Sequence, residues 1–241
     1  MEKKNNISFE FKSYFEKNIK NNFNQYTWET NSTNTDLKRK VYIGIKEGNN
    51  QDVIFVKQIK IFFEQNNIEN ILKEIYFLIL LKQSKMNYFS KLNEIKISDD
   101  KKYIFFIFRE NKISLDMLME YKYLKEENFI QYITFFICLE LYYLYFNNIV
   151  HNDIKPSNIL YGEYPLISLC DFGAMRYEGE ISNEYTHYYA APEYFYNNNK
   201  RNNKSDMWAV GIIMIEMFYI KNYIKNNKIF DAKEKKKCFQ K

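Results

Sequence analysis

Two polar blocks separated by a short apolar stretch constrain this chain more than any other feature. The first is His151-Asn152-Asp153-Ile154-Lys155-Pro156-Ser157-Asn158, and after twelve intervening residues the second is Asp171-Phe172-Gly173. Between them, Ile159 to Tyr161 and Leu166 to Cys170 are apolar runs too short for helices, and they read as a small hairpin. Ala191-Pro192-Glu193, Asp206-Met207-Trp208 and Gly211 then follow in order. One such motif is weak evidence of anything; five in register are strong.

The two blocks supply a base, a lysine for phosphate oxygens and two hard oxygen ligands, which is what phosphoryl transfer from a magnesium nucleotide needs. With these signatures the chain resembles the protein-kinase family over residues 26 to 220, and Asp153-Ile154-Lys155-Pro156-Ser157-Asn158 resembles its serine/threonine branch. The resemblance implies an α+β, two-lobed protein-kinase-like fold, with a β-rich N-lobe and a mainly helical C-lobe. Kinases of this family continue for several helices beyond the Asp206-Met207-Trp208 helix, whereas about twenty Lys/Asn-rich residues remain here, so the C-lobe reads as truncated. The expected division is an N-terminal extension at 1–25, a nucleotide-binding N-lobe at 26–110, a C-lobe at 111–220 and a Lys-rich tail at 221–241.

Hydrophobic patterning agrees with a β-rich half followed by a helical half. In the extension, Phe11, Phe15, Ile19 and Phe23 recur every four residues, which suggests a short amphipathic helix packing on the main domain. Tyr26 to Thr30 reads as a first strand and Asn31 to Lys40 as a polar turn. Val41 to Ile45 and Val53 to Ile59 read as a hairpin closed through Glu47-Gly48-Asn49-Asn50. Ile68 to Lys82 has helical apolar spacing, and Tyr103 to Phe108 is a continuous apolar strand. After Asn111, Ser114 caps a short helix through Glu120, Glu126 to Asn147 forms a long apolar helix, and Met207 to Ile220 another.

The resemblance assigns roles residue by residue. Asp153 would accept the proton of the substrate hydroxyl, and Lys155 would face the transferring phosphate. Asn158 and Asp171 would hold the magnesium ions of Mg·ATP. Lys57 would contact the α- and β-phosphates, with Glu74 as its partner on the N-lobe helix; Lys60 is a rival for that lysine. Val41 and Leu160 complete the nucleotide-binding set. Thr186 sits where a threonine would touch Asp153 and Lys155. Asp206 would hold the catalytic-loop backbone, Trp208 would pack in the helix core, and His151 and Phe172 would be structural. The implied function is ATP-dependent transfer to Ser/Thr hydroxyls of proteins; the alternative is a pseudokinase acting as a scaffold.

Four departures stand against that pattern. The three glycine positions of the phosphate loop fall on Asn34, Asp36 and Arg39, none of them glycine. Phe55, two residues before Lys57, replaces a small residue that would pack on adenine. Asn152 replaces the arginine that binds a phosphorylated activation loop, so activity is not expected to depend on such a phosphate. The arginine that pairs with the glutamate of Ala191-Pro192-Glu193 is missing after Arg201, which leaves Glu193 unpaired.

Composition narrows the setting. Net charge is +5 and pI about 8.8, too mild to call for a nucleic-acid partner; eight lysines in Lys221 to Lys241 read as a solvated tail. Cys138, Cys170 and Cys238 are too few and too scattered for a disulfide framework or zinc site, as in an intracellular protein, cytoplasmic or nuclear. Met1 to Phe15 lacks the apolar core of a signal peptide, and Ile133 to Phe146, broken by Thr134 and Glu140, reads as a buried helix rather than a membrane span. Expected partners are a protein substrate and a regulatory protein.

Overall fold

A computed structural model describes residues 19, 25–30, 39–47, 49–62, 65–84, 88–109, 112–120, 128–162, 167–181, 185–195 and 202–225. Phe11, Phe15 and Phe23, the loop positions Asn34 and Asp36, Ser182 and residues 226–241 lie outside this set. The described residues form two compact units, one from residues up to 85 together with 90–111, the other from 86–89 together with 112 onward.

The first unit is a five-stranded antiparallel sheet in the order β1-β2-β3-β5-β4. Its strands are β1 (Tyr26–Thr30), β2 (Arg39–Lys46), β3 (Asn49–Lys60), β4 (Leu92–Ile97) and β5 (Tyr103–Arg109). The hairpin of β2 and β3 is longer than its apolar residues suggest, because Asn49 and Asn50 already belong to β3. Successive side chains of a strand point to opposite faces, so a strand buried at every position has both faces covered. Residues 103–107 of β5 are all buried. On one face Tyr42, Ile54, Val56, Tyr103, Phe105 and Ile107 form a cluster with Tyr26 and the fully buried Ile19. Trp28 lies over Gly44, where a Cβ would come within 2.7 Å of the indole, so that position admits no side chain.

The opposite face carries Lys57, Ile59, Ile104 and Phe106, cross-strand partners in register. Helix α1 (Gln65–Gln83) is joined to this face through Lys57 and buries Ile71, Glu74, Leu78 and Leu81, one stripe at helical spacing.

The second unit is mainly helical. It contains β6 (Lys112–Ser114), α2 (Leu115–Glu120), α3 (Phe129–Phe146), β7 (Ile149–Val150), β8 (Ile159–Gly162), β9 (Ile167–Leu169), β10 (Arg176–Tyr177) and α4 (Asn203–Lys225). Strands β6, β8 and β9 form one small sheet and β7 pairs with β10. Helix α3 buries Ile130, Ile133, Ile137, Glu140, Leu141 and Leu144 along one stripe. It is long and apolar enough to cross a membrane by length and composition, yet that stripe sits inside the unit, with Glu140 bonded to β9. Asn148, at φ 55°, ends the helix in the left-handed conformation and turns the chain into β7.

Helix α4 starts four residues before the apolar run and extends to Lys225. It buries Asp206, Ala209, Val210, Ile213, Glu216, Met217 and Ile220. Trp208, expected in that core, is instead 47% exposed. At 100° per residue it falls on the opposite face, with Ile215 and Phe218.

Candidate active site

The loop after β7 is fixed from α4. The Asp206 carboxylate, in the first turn of that helix, accepts the backbone N–H groups of His151 (2.7 Å) and Asn152 (2.9 Å). A carboxylate at a helix N-terminus is favoured by the helix dipole, and here it also satisfies two buried donors. His151 is fully buried and makes an edge contact with Phe172 at 5.9 Å between ring centroids; Phe172 in turn meets Phe89. Burial pushes the His151 imidazole below its ordinary value, opposed by the nearby Asp153 and Asp171 carboxylates. Both rings are buried in the second unit.

Asp153 is held at both oxygens. Thr186 donates to Oδ1 at 2.6 Å, and Lys155 Nζ donates to Oδ2 at 2.6 Å and to the Thr186 hydroxyl at 3.1 Å. The Asn158 carboxamide, in the 3-10 turn Pro156–Asn158, donates to Asp153 Oδ2 (3.1 Å) and to its backbone carbonyl (2.9 Å). With Nδ2 so engaged, Oδ1 of Asn158 is the atom left to accept or ligate.

The hairpin explains the spacing of the two blocks. Ile159 pairs with Leu169, and the Cys170 N–H bonds to the Asn158 carbonyl at 3.0 Å, so Asp171 follows one residue beyond Asn158's partner. Asp171 lies at φ 61°. Leu160 is buried on β8 between the partners Ser114 and Ser168. A small cleft lies beside Asp153, lined by Asn152, Thr186, Tyr189, Tyr194 and Ala209.

In the first unit, Lys57 Nζ lies 2.6 Å from Glu74 Oε1, both side chains nearly buried. Lys60, three residues on, falls on the other sheet face near Tyr103 and Phe62. Val41 is opposite Lys57 on β2; Phe55 shares their face, between Ile43 on β2 and Phe108 on β5. Of the phosphate-loop positions only Arg39 is described, as the first residue of β2.

Three carboxylates, two of them buried, carry contacts that the sequence reading missed. Glu193, expected unpaired, accepts the Ser205 hydroxyl at 3.3 Å. Glu216 accepts the Tyr189 hydroxyl at 2.9 Å, tying the loop before Ala191 to α4. Burial, reinforced by Glu216, raises the Tyr189 phenol. Glu140 accepts the Leu169 N–H at 2.7 Å, and burial raises its carboxyl well above the ordinary range. For Glu140 and Glu216 the available signal was a lone acid inside an apolar helical run.

Residues 39–240 match the family model described as the protein kinase domain. The chain belongs to the protein kinase family. Similar proteins include the mitogen-activated protein kinase HOG1 of Candida albicans, 37% identical over 142 residues, which cover 58% of this chain and 37% of that protein. Human cyclin-dependent kinase-like 2 is 32% identical over 176 residues, covering 70% of this chain and 35% of its own length. Mitogen-activated protein kinase 15 of Xenopus laevis is 30% identical over 177 residues, 69% and 30% of the two chains. The kinase chain thus spans about a third of the length of these relatives.

Proposed function

We propose that this kinase-family chain transfers the γ-phosphoryl group of ATP to Ser or Thr hydroxyls of protein substrates. The observation that carries the reading is the Asp153-Lys155-Thr186 network, closed by the Asn158 carboxamide. Asp153 is oriented at both oxygens and borders a cleft, as a base must be to receive a hydroxyl proton. Lys155 holds one cation beside that carboxylate, and Thr186 fixes both.

The donor set suits magnesium. Asn158 Oδ1 and the Asp171 carboxylate are hard oxygen ligands, and magnesium bound with a nucleotide takes only one or two protein ligands. No group of three His, Cys, Asp or Glu among the described residues could hold a metal alone, which accords with that mode. When bound, magnesium offsets charge on the phosphate oxygens. Lys57, held by Glu74, would bind the α- and β-phosphates, and Val41 and Leu160 would flank the nucleotide. Glu74 also makes the position of α1 the handle by which a regulatory protein would act. Three scattered cysteines, too few for a disulfide framework, support an intracellular setting.

One observation favours a second reading. Phe55 stands on the same face as Lys57, where its ring would compete with adenine and make the chain a nucleotide-free scaffold. Thermal unfolding with and without saturating Mg·ATP separates the two. Ligand at a hundred times its dissociation constant adds about 2.7 kcal/mol, or roughly 5–10 °C at this length. A magnesium-dependent rise, with label transferred to Ser/Thr peptides, is the expected result. A folded chain with no rise, in which Phe55→Ala restores one, supports the scaffold.

A further inference from the structure

We propose that Glu140 and Lys112 are positioning residues: from two sides they hold β9, so that Asp171 keeps its place beside Asn158 and the two can take magnesium together. The proposal rests on the kinase reading and deepens its account of the metal site.

Strand β9 lies at the edge of the sheet β6-β8-β9. The Cys170 N–H points to β8, where it meets the Asn158 carbonyl at 3.0 Å. Backbone donors alternate in direction along a strand, so the Leu169 N–H points the other way, out of the sheet. Leu169 is fully buried, and a buried N–H needs an acceptor. Helix α3 supplies one: Glu140 Oε2 accepts that N–H at 2.7 Å.

The other grip comes from β6. Ser168 stands opposite Leu160 on β8, and Leu160 opposite Ser114 on β6, so all three share one face of the sheet. Lys112, two residues before Ser114, is on that face too. Its Nζ reaches across β8 and donates to the buried Ser168 hydroxyl at 2.9 Å. Lys112 is also the residue at which the chain returns to the second unit after β5. Two consecutive residues of β9 are thus gripped, one from β6 and the next from α3. Cys170 then bonds to Asn158, and Asp171 follows.

The residue types argue for position over stability. Glu140 interrupts a stripe of Ile133, Ile137, Leu141 and Leu144, and its Oε1 has no hydrogen-bond partner among the described residues. Burying an acid with one oxygen unsatisfied is unfavourable, and Lys112 offsets only part of its charge. An apolar residue would avoid that cost but orphan the Leu169 N–H. An acid kept against that cost, two residues before a candidate ligand, acts as the outer support that orients a metal site.

The test uses the full chain with Glu140→Leu, Glu140→Gln and Ser168→Ala. Leucine removes the acceptor, glutamine keeps one, and alanine frees β9 from Lys112 with little change of volume. Amide exchange in residues 167–171 should rise roughly tenfold in Glu140→Leu and Ser168→Ala, with residues 103–107 of the first unit unchanged; Glu140→Gln should exchange as wild type. The Mg2+ concentration for half-maximal transfer at saturating ATP should rise roughly ten- to a hundredfold in the same two variants, with KM for the peptide within about twofold. If Glu140→Leu does not fold, Ser168→Ala decides. Unchanged exchange in Ser168→Ala, a magnesium midpoint that stays put where exchange rises, or Glu140→Gln behaving as Glu140→Leu overturns the proposal. A wild type that neither labels peptides nor shows a magnesium-dependent rise in Tm with ATP overturns the kinase reading and the proposal with it. A wild type that does both, beside variants with unmoved midpoints, overturns the proposal alone.

Discussion

Thr186 donates its hydroxyl to Oδ1 of Asp153 at 2.6 Å, while Lys155 binds the other carboxylate oxygen. Asp153→Asn leaves no carboxylate to take a proton and turns an NH2 toward either the hydroxyl or the ammonium. Phosphate transfer to peptides should drop roughly a hundred- to ten-thousandfold. The fold, anchored by Asp206, should persist with a Tm change of a few degrees. A variant that labels peptides at the wild-type rate would remove Asp153 from the role of base.

Lys57 and Glu74 are 8% and 3% exposed, so their 2.6 Å contact is a nearly desolvated ion pair. Removing one charge from such a pair costs about 3–5 kcal/mol, whereas replacing both with apolar groups is close to neutral. Lys57→Met should therefore be strongly destabilising, and Lys57→Met with Glu74→Leu should recover most of the loss. Urea unfolding of the three proteins measures the coupling. If the double variant is as unstable as the single one, the two residues do not act as a pair.

What was legible in the sequence followed from local rules. Tyr103–Arg109 announced itself as a continuous apolar run because both of its faces are covered. Asn158 and Asp171 were legible because a short hairpin fixes their separation. Strand β4 was missed: it lies at the sheet edge, carries Glu94 and Lys96, and shifts register between Leu92 and Glu94, so its alternation is broken. Trp208 was placed in the core by the resemblance; the buried stripe through Ala209, Ile213 and Met217 leaves it on the opposite face. The Ser205–Glu193 bond joins residues twelve positions apart, and no periodicity encodes it.

Glu140 gives the fold a pH dependence of known sign. Burial raises its carboxyl well above the ordinary value of 4.5, opposed by the Leu169 N–H and by Lys112. A proton held more tightly in the folded state stabilises fully below the unfolded pKa, and that contribution is lost as pH rises through the folded value. Glu140→Gln cannot ionise and keeps a carbonyl oxygen for Leu169. Its Tm should therefore exceed that of wild type by roughly 2–4 °C at pH 8 and by less near pH 4.5. Parallel Tm curves across that range would show that Glu140 does not titrate differently in the folded chain.

Ile19 contributes to the sheet's core from outside its strands, ahead of Tyr26 in the chain. It is fully buried against Tyr26, Tyr42, Ile54, Val56, Tyr103, Phe105 and Ile107, on the face opposite Lys57. Truncating a buried isoleucine to alanine removes transfer energy and leaves a cavity, together about 2–5 kcal/mol. Ile19→Ala should lower Tm by roughly 5–15 °C, and Ile19→Asp should do so further by leaving a carboxylate without water. Mg·ATP should still raise Tm in the alanine variant by the wild-type increment, because Lys57 and Glu74 occupy the other face of the sheet. A melting point unmoved by either substitution would place Ile19 outside the core and make the residues before Tyr26 dispensable to the sheet.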